Sequence, residues 1–208
     1  MKPLIVGSLP ITDVSDLRHV LSGECDLTEL RLDYLHELNT NILEGLVAVK
    51  DRIILTVRDE NEGGVRHIDR KIKTGFLKSA VEMGFLIDVE TEFLRENYVD
   101  YTGMIVSRHF LKEEPDYETL ENLAGIYCNK ARFVKIVTPA SMVSSRNLIK
   151  LLGKYDNVAV MELGSDPMTR ILYSVLGSRL IYCYITEPTA KGQLKCSEVK
   201  EFFELIWR

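Results

Sequence analysis

Short strand-forming runs alternate with longer amphipathic segments along the whole chain, and this alternation limits the fold more than any other feature. The runs are Leu4–Leu9, Leu27–Leu32, Ile53–Val57, Phe85–Val89, Met104–Val106, Phe133–Val137, Val158–Leu163 and Leu180–Ile185. Eight is the number that closes a barrel. Runs apolar on both faces, such as Ile53-Ile54-Leu55-Thr56-Val57, suit parallel strands covered by helices. Side-chain oxygens stand where helical segments begin: Thr12 or Asp13 for the first, Asn39 or Thr40 for the second, Asp116 for the fifth and Ser141 for the sixth. Gly84, Gly153 and Gly177 then close helices before a strand. The sequence predicts an α/β fold, a (β/α)8 or TIM barrel, as one domain over residues 1–208. An open doubly wound sheet is the alternative, but neither G-x-G-x-x-G nor a Walker A sequence occurs to support a nucleotide site.

The chain has 208 residues, 46% hydrophobic and 27% charged, enough to bury a sizeable core and to argue against disorder. A net charge of −5 and a pI near 5.5 argue against nucleic acid or an acidic membrane as a partner, because either calls for a basic surface. Any bound anion must be held by local cations. Cys25, Cys128, Cys183 and Cys196 form no C-x-x-C pair, so no metal site is indicated and free thiols in a reducing cytosol are expected. The apolar run from Pro3 to Pro10 lacks the basic flank and cleavage site of a signal peptide, and no stretch approaches the roughly 18 apolar residues that span a bilayer. A soluble cytoplasmic protein is expected.

In parallel barrels chemistry gathers where the carboxyl ends of the strands meet the following loops. Polar residues interrupt the apolar pattern at those places. The second strand carries Glu29, Arg31 and Asp33, alternating with Leu30 and Leu32 and so sharing one face. The third ends at Arg58, the fourth in Asp88 and Glu90, the fifth in Ser107-Arg108-His109, and the sixth holds Lys135 between Val134 and Ile136. A charge inside so apolar a strand is costly unless paired or used. Lys135 is either a lysine on a partly exposed edge or in a structural ion pair, or an amine freed of its proton by desolvation and nearby cations, able to attack a carbonyl. His109 alone reads as a structural hydrogen-bonder, but adjacent strands can set it beside Lys135. His19, His36 and His67 read as surface residues. Glu29, Arg31 and Arg58 suit either a structural ion network or a small, hydroxylated, anionic ligand. Gly63-Gly64 is a flexible turn or the hinge of a loop that folds over the site.

Glu29-Leu30-Arg31-Leu32-Asp33, Arg58 followed by Glu62-Gly63-Gly64, Ser107 and His109 two apart, Val134-Lys135-Ile136, Arg170 eight residues before Ser178 in Leu176-Gly177-Ser178, and Gly192-Gln193 occur in this order. The ordered set resembles the motifs of type I 3-dehydroquinate dehydratases, from residue 3 to about 195. The resemblance implies a shikimate-pathway lyase that converts 3-dehydroquinate to 3-dehydroshikimate by loss of water, through a covalent imine and without metal or cofactor. It implies a homodimer whose only ligand is that small molecule. By position, Lys135 would form the Schiff base, His109 would move the proton and Glu62 would orient His109. Arg170 and Gln193, with Thr189, would hold the substrate carboxylate, while Glu29, Arg31 and Arg58 would bind ring hydroxyls.

Departures from the family pattern carry their own expectations. Phe110 replaces an acidic or amide residue after the histidine, which leaves more of its orientation to Glu62. Lys191 stands in Thr189-Ala190-Lys191-Gly192-Gln193 where a proline is usual, removing a fixed φ from that loop. The stretch Met161 to Thr169 is one residue longer than expected, with Thr169 in place of a serine, and this bears on the placement of Arg170. The chain starts at its first strand without the amino-terminal hairpin of longer relatives, so other residues must close the barrel floor. A class I aldolase-like lyase with a phosphate site at Gly164-Ser165, and a non-catalytic binding module, are the alternatives in function.

Overall fold

The computed structural model describes residues 2–20 and 24–207. Eight strands, β1 (Leu4–Pro10), β2 (Leu27–Arg31), β3 (Ile53–Thr56), β4 (Leu86–Glu90), β5 (Ile105–His109), β6 (Phe133–Pro139), β7 (Val158–Leu163) and β8 (Leu180–Tyr184), join one parallel sheet in the order β7-β6-β5-β4-β3-β2-β1-β8. The sheet curls into a nearly closed barrel. Its two end strands share no ladder among the described residues. A serine joins them instead: the Val160 N–H donates to Ser178 Oγ at 3.0 Å, Ser178 donates to the Leu180 carbonyl, and the Arg179 N–H reaches the Val158 carbonyl at 3.0 Å.

Helices α1 (Asn41–Leu46), α2 (Arg70–Glu82), α3 (Thr91–Glu96), α4 (Tyr117–Tyr127), α5 (Met142–Leu152), α6 (Met168–Val175) and α7 (Cys196–Ile206) follow the strands from β2 onward. Asp116 accepts the Thr119 N–H and Ser141 the Ser144 N–H, so these two helices start as the sequence predicts. After β1, however, Asp13 caps only a 3-10 segment, Val14–His19, and Thr40 caps α1 without a side-chain bond. Gly84 and Gly177 take the left-handed conformation (φ 81° and 113°), whereas Gly153 has a helical φ of −71° that any residue could adopt. Strand β5 extends past the expected Val106 because Ser107, Arg108 and His109 pair with Lys135, Ile136 and Val137 of β6.

Alternation along the strands divides the core. Outward residues such as Leu55, Ile87, Val106, Val134 and Val160 pack beneath the helices with Phe76, Leu77, Leu120 and Leu148. Inward residues at the start of the strands, Val6, Leu27, Ile54, Ile105, Phe133 and Leu180, fill the floor. One step further along the same inward faces the residues become Ser8, Glu29, Asp88, Ser107, Lys135 and Tyr182, all buried. The apolar floor thus carries a charged layer directly above it.

The cysteine expectation needs correction. Cys183, facing outward from β8, and Cys196, the first residue of α7, form a disulfide across a sequence separation of 13. The buried Cys25 sulfur lies within 4.8 Å of both. Spacing along the chain could not show that strand and helix bring them together. Among the described residues no helix is long and apolar enough to cross a membrane.

Candidate active site

A cavity of about 230 Å³ opens at the carboxyl ends of the strands, and all nine residues singled out as site candidates line it. Strands β5 and β6 supply an imidazole and an amine to it. In their register Ser107 lies opposite Lys135 and His109 opposite Val137, so the imidazole sits one inward step, roughly 7 Å of strand, beyond the amine on the neighbouring strand.

Lys135 is buried, and Nζ donates to Asp88 Oδ2 at 3.0 Å and Glu29 Oε1 at 3.5 Å. It also lies 3.8 Å from the centroid of the Tyr182 ring, within reach of a cation–π contact. Its charged bonding partners are carboxylates, and the nearby cation, Arg58, stands on the far side of Asp88. Each carboxylate is divided among several donors. Asp88 also meets Arg58 Nη2 at 2.9 Å and accepts the Ser107 hydroxyl. Burial alone would raise its carboxyl, but Arg58 and then Lys135 reverse this and hold it well below the ordinary carboxylate range. Glu29 accepts from Ser8 (2.7 Å) and Thr56 (3.0 Å) besides Lys135.

His109 meets the base requirement through Glu62. One oxygen of that carboxylate lies 3.0 Å from Nδ1 and accepts the His109 backbone N–H at 2.8 Å, while the other accepts from Arg108 at 3.0 Å. Where the family pattern places a polar residue, Phe110 instead packs its ring 5.1 Å from the Arg108 guanidinium. Arg108 thereby steadies Glu62. Burial, followed by the Arg58 and Lys135 charges, pushes the imidazole well below its usual range, so it is neutral at pH 7. Burial also pushes the Glu62 carboxyl up, to about 7. Above that value an ionised Glu62 accepts the Nδ1 proton and leaves Nε2 as the free base.

Gly63 and Gly64 form a hydrogen-bonded turn, their N–H groups donating to the Glu60 and Asp59 carbonyls. Gly63 has φ 92°, its carbonyl accepts from Arg31, and a Cβ on Gly64 would stand 2.1 Å from the Arg58 carbonyl. The turn sets Glu62 against the histidine. Arg31 itself is held by a two-pronged pair with Asp33 at 2.8 and 2.7 Å.

Arg170 is the exception to this pairing. It is buried on the cavity wall, and among the described residues only the carbonyls of Gly192 (2.9 Å), Tyr182 and Lys191 (both 3.4 Å) accept from it. Burial lowers its guanidinium to about 10. Gly164, in the turn before α6, takes φ 79°. Thr189 bonds Ser8 at 2.8 Å. The carbonyl of Gln193 takes the N–H groups of Thr189 and Ala190, so this side chain staples the loop and presents its amide N–H groups to the cavity and Thr189. Ser165, suggested as part of a phosphate site, donates to the Glu162 carbonyl and lies off the cavity lining.

Sequence reasoning noted Asp88 without assigning it a role and missed Tyr182. Alternation could have found both, since each shares a face with the inward end of its strand.

The family model described as Type I 3-dehydroquinase matches residues 5–207. The chain is 36% identical to a 3-dehydroquinate dehydratase of Saccharolobus solfataricus, covering 99% of this chain and 96% of the relative. It is 35% identical to one of Metallosphaera sedula, covering 99% of each. Among solved structures, the 3-dehydroquinate dehydratase of Aquifex aeolicus VF5 superposes with a TM-score of 0.78 at 20% identity, covering 99% of both chains. The type I enzyme of Clostridium difficile gives 0.79 at 20% identity, covering 99% of this chain and 92% of that one.

Proposed function

Because the chain belongs to the type I 3-dehydroquinase family, whose members are hydro-lyases, we propose that it dehydrates 3-dehydroquinate to 3-dehydroshikimate through an imine on Lys135. The observation that carries this reading is a buried amine and a neutral imidazole opening onto one cavity. Lys135 passes its proton on, attacks the ring ketone, and releases water as the iminium forms. The iminium draws electrons from the adjacent carbon, whose proton His109 takes at Nε2. The electron pair then expels the hydroxyl one carbon further on, and His109 returns the proton to it so that water leaves. Hydrolysis of the conjugated imine frees the enone and regenerates the amine.

Arg170, which has no anionic partner among the described residues, is suited to the substrate carboxylate, with the Gln193 amide and Thr189 beside it. Arg31, Arg58 and Glu29 have capacity left for ring hydroxyls. Ion pairing to Asp33 and Asp88 holds the two arginines in place for that contact. One domain spanning 1–208 and a cytoplasmic homodimer complete the proposal, the dimer being testable by sedimentation. The purified protein should convert 3-dehydroquinate into a product with the ultraviolet absorbance of a conjugated enone. Lys135→Ala and His109→Ala should both abolish turnover. Turnover of sugar phosphates but not of 3-dehydroquinate would favour an aldolase-like lyase.

A further inference from the structure

Lys73 is fully buried in α2 and touches no part of the cavity. Its ammonium donates to Glu90 Oε2 at 2.7 Å and Asp59 Oδ1 at 2.8 Å and lies 4.5 Å from the Phe93 ring. A structural role, tying α2 to the barrel, accounts for these bonds alone. The contacts beyond them continue into the site. Glu90 turns its other oxygen to Arg58 Nη1 at 3.4 Å and to the Asp59 N–H at 2.8 Å. Arg58 reaches Asp88 Oδ2 at 2.9 Å, the same oxygen that Lys135 Nζ reaches at 3.0 Å. Charges therefore alternate without a break, Lys73, Glu90, Arg58, Asp88, Lys135, from the outer helix to the amine.

We propose that Lys73 is a positioning residue for imine formation, fixing through Glu90 and Arg58 how much of Asp88 is left to hold the Lys135 ammonium. The inference rests on the imine reading of Lys135. The amine attacks only after losing its proton, and the groups facing it decide how readily it does so. These are Asp88 on β4, Glu29 on β2, the Tyr182 ring on β8, and the neighbouring His109 and Arg58. Arg31 and Glu62 are occupied by Asp33 and by Arg108 and His109. Arg58 is the group whose allegiance is divided, between Asp88 and Glu90. While Lys73 satisfies Glu90, Arg58 stays with Asp88. Without Lys73, the Glu90 charge draws Arg58 away and Asp88 turns more of its field on Lys135. Loss of a nearby positive charge acts in the same direction, favouring the ammonium.

The test is the pH dependence of borohydride trapping of 3-dehydroquinate on Lys135, with thermal melting of each variant alongside. Lys73→Met should move the trapping midpoint up by on the order of one pH unit, and Glu90→Gln should move it down by a similar amount. Lys73→Arg, which keeps the charge, should stay near wild type. Opposite movements are the signature, because loss of a merely structural tie lowers the melting temperature of both variants and moves neither midpoint. If Lys73→Met does not fold, Glu90→Gln decides: a downward shift supports the relay, and an unchanged or raised midpoint overturns it. Wild type that traps normally while both variants match its midpoint refutes the relay alone, whereas wild type that fails to trap at any pH refutes the imine reading beneath it.

Discussion

Replacing Glu62 by glutamine separates the cost of burying this carboxylate from the work it does on His109. Its carboxyl stands at about 7 in the folded protein against 4.5 for an ordinary glutamate. Between those values the folded state holds a proton that the unfolded chain has released, so stability falls as pH rises, and the loss is complete above about 7. A gap of about 2.5 pH units, at roughly 1.4 kcal/mol per unit, is about 3 kcal/mol. His109 acts with the opposite sign, since its lowered value makes stability rise as pH approaches its usual 6.5. His109 titrates well below 6.5, where Glu62 is already protonated and as neutral as glutamine, so this term is similar in the two proteins. Urea unfolding at pH 4 and pH 8 should therefore show wild type losing about 3 kcal/mol relative to Glu62→Gln as pH rises. The rate should respond in the other direction. Wild-type turnover should decline below about pH 7, where Glu62 protonates and no longer accepts the Nδ1 proton. At pH 8 the variant should lose roughly 10²-fold or more in kcat. Parallel stability curves, or an acid limb that persists at the same pH in the variant, would refute the assignment.

Arg170→Met should raise KM for 3-dehydroquinate by roughly 10²-fold while leaving the melting temperature unchanged or higher, because it removes a buried cation that has no counter-ion among the described residues. Steady-state kinetics and a thermal scan check both halves. The disulfide fastens the base of the loop that carries Thr189 and Gln193, so its loss should affect binding as well as stability. Cys183→Ala combined with Cys196→Ala, which leaves Cys25 no new partner, should cost about 3 kcal/mol in urea unfolding and raise KM.

The barrel was legible because strand and helix periods differ and because each strand is fully covered, which leaves apolar runs that a periodicity reading finds directly. Lys135 stood out for the same reason: a lysine between Val134 and Ile136 in such a strand must be either paired or put to use. The pairing around it was less visible. Asp88 lies 47 residues from Lys135 in sequence, and only the curvature of the sheet brings the two carboxylates to the amine. The disulfide escaped for a similar reason, and so did the closure at Ser178, where a side chain substitutes for a strand ladder that local propensity would have supplied. Arg108 was passed over because it points away from the inward face of β5, yet it holds Glu62 from the side.

Mass spectrometry of the protein treated with 3-dehydroquinate and borohydride addresses the covalent step itself. The account predicts one added, reduced substrate-derived ring on the peptide that contains Lys135, absent in Lys135→Ala and retained in His109→Ala. An unmodified chain in the presence of turnover, or a label on any other lysine, would contradict it.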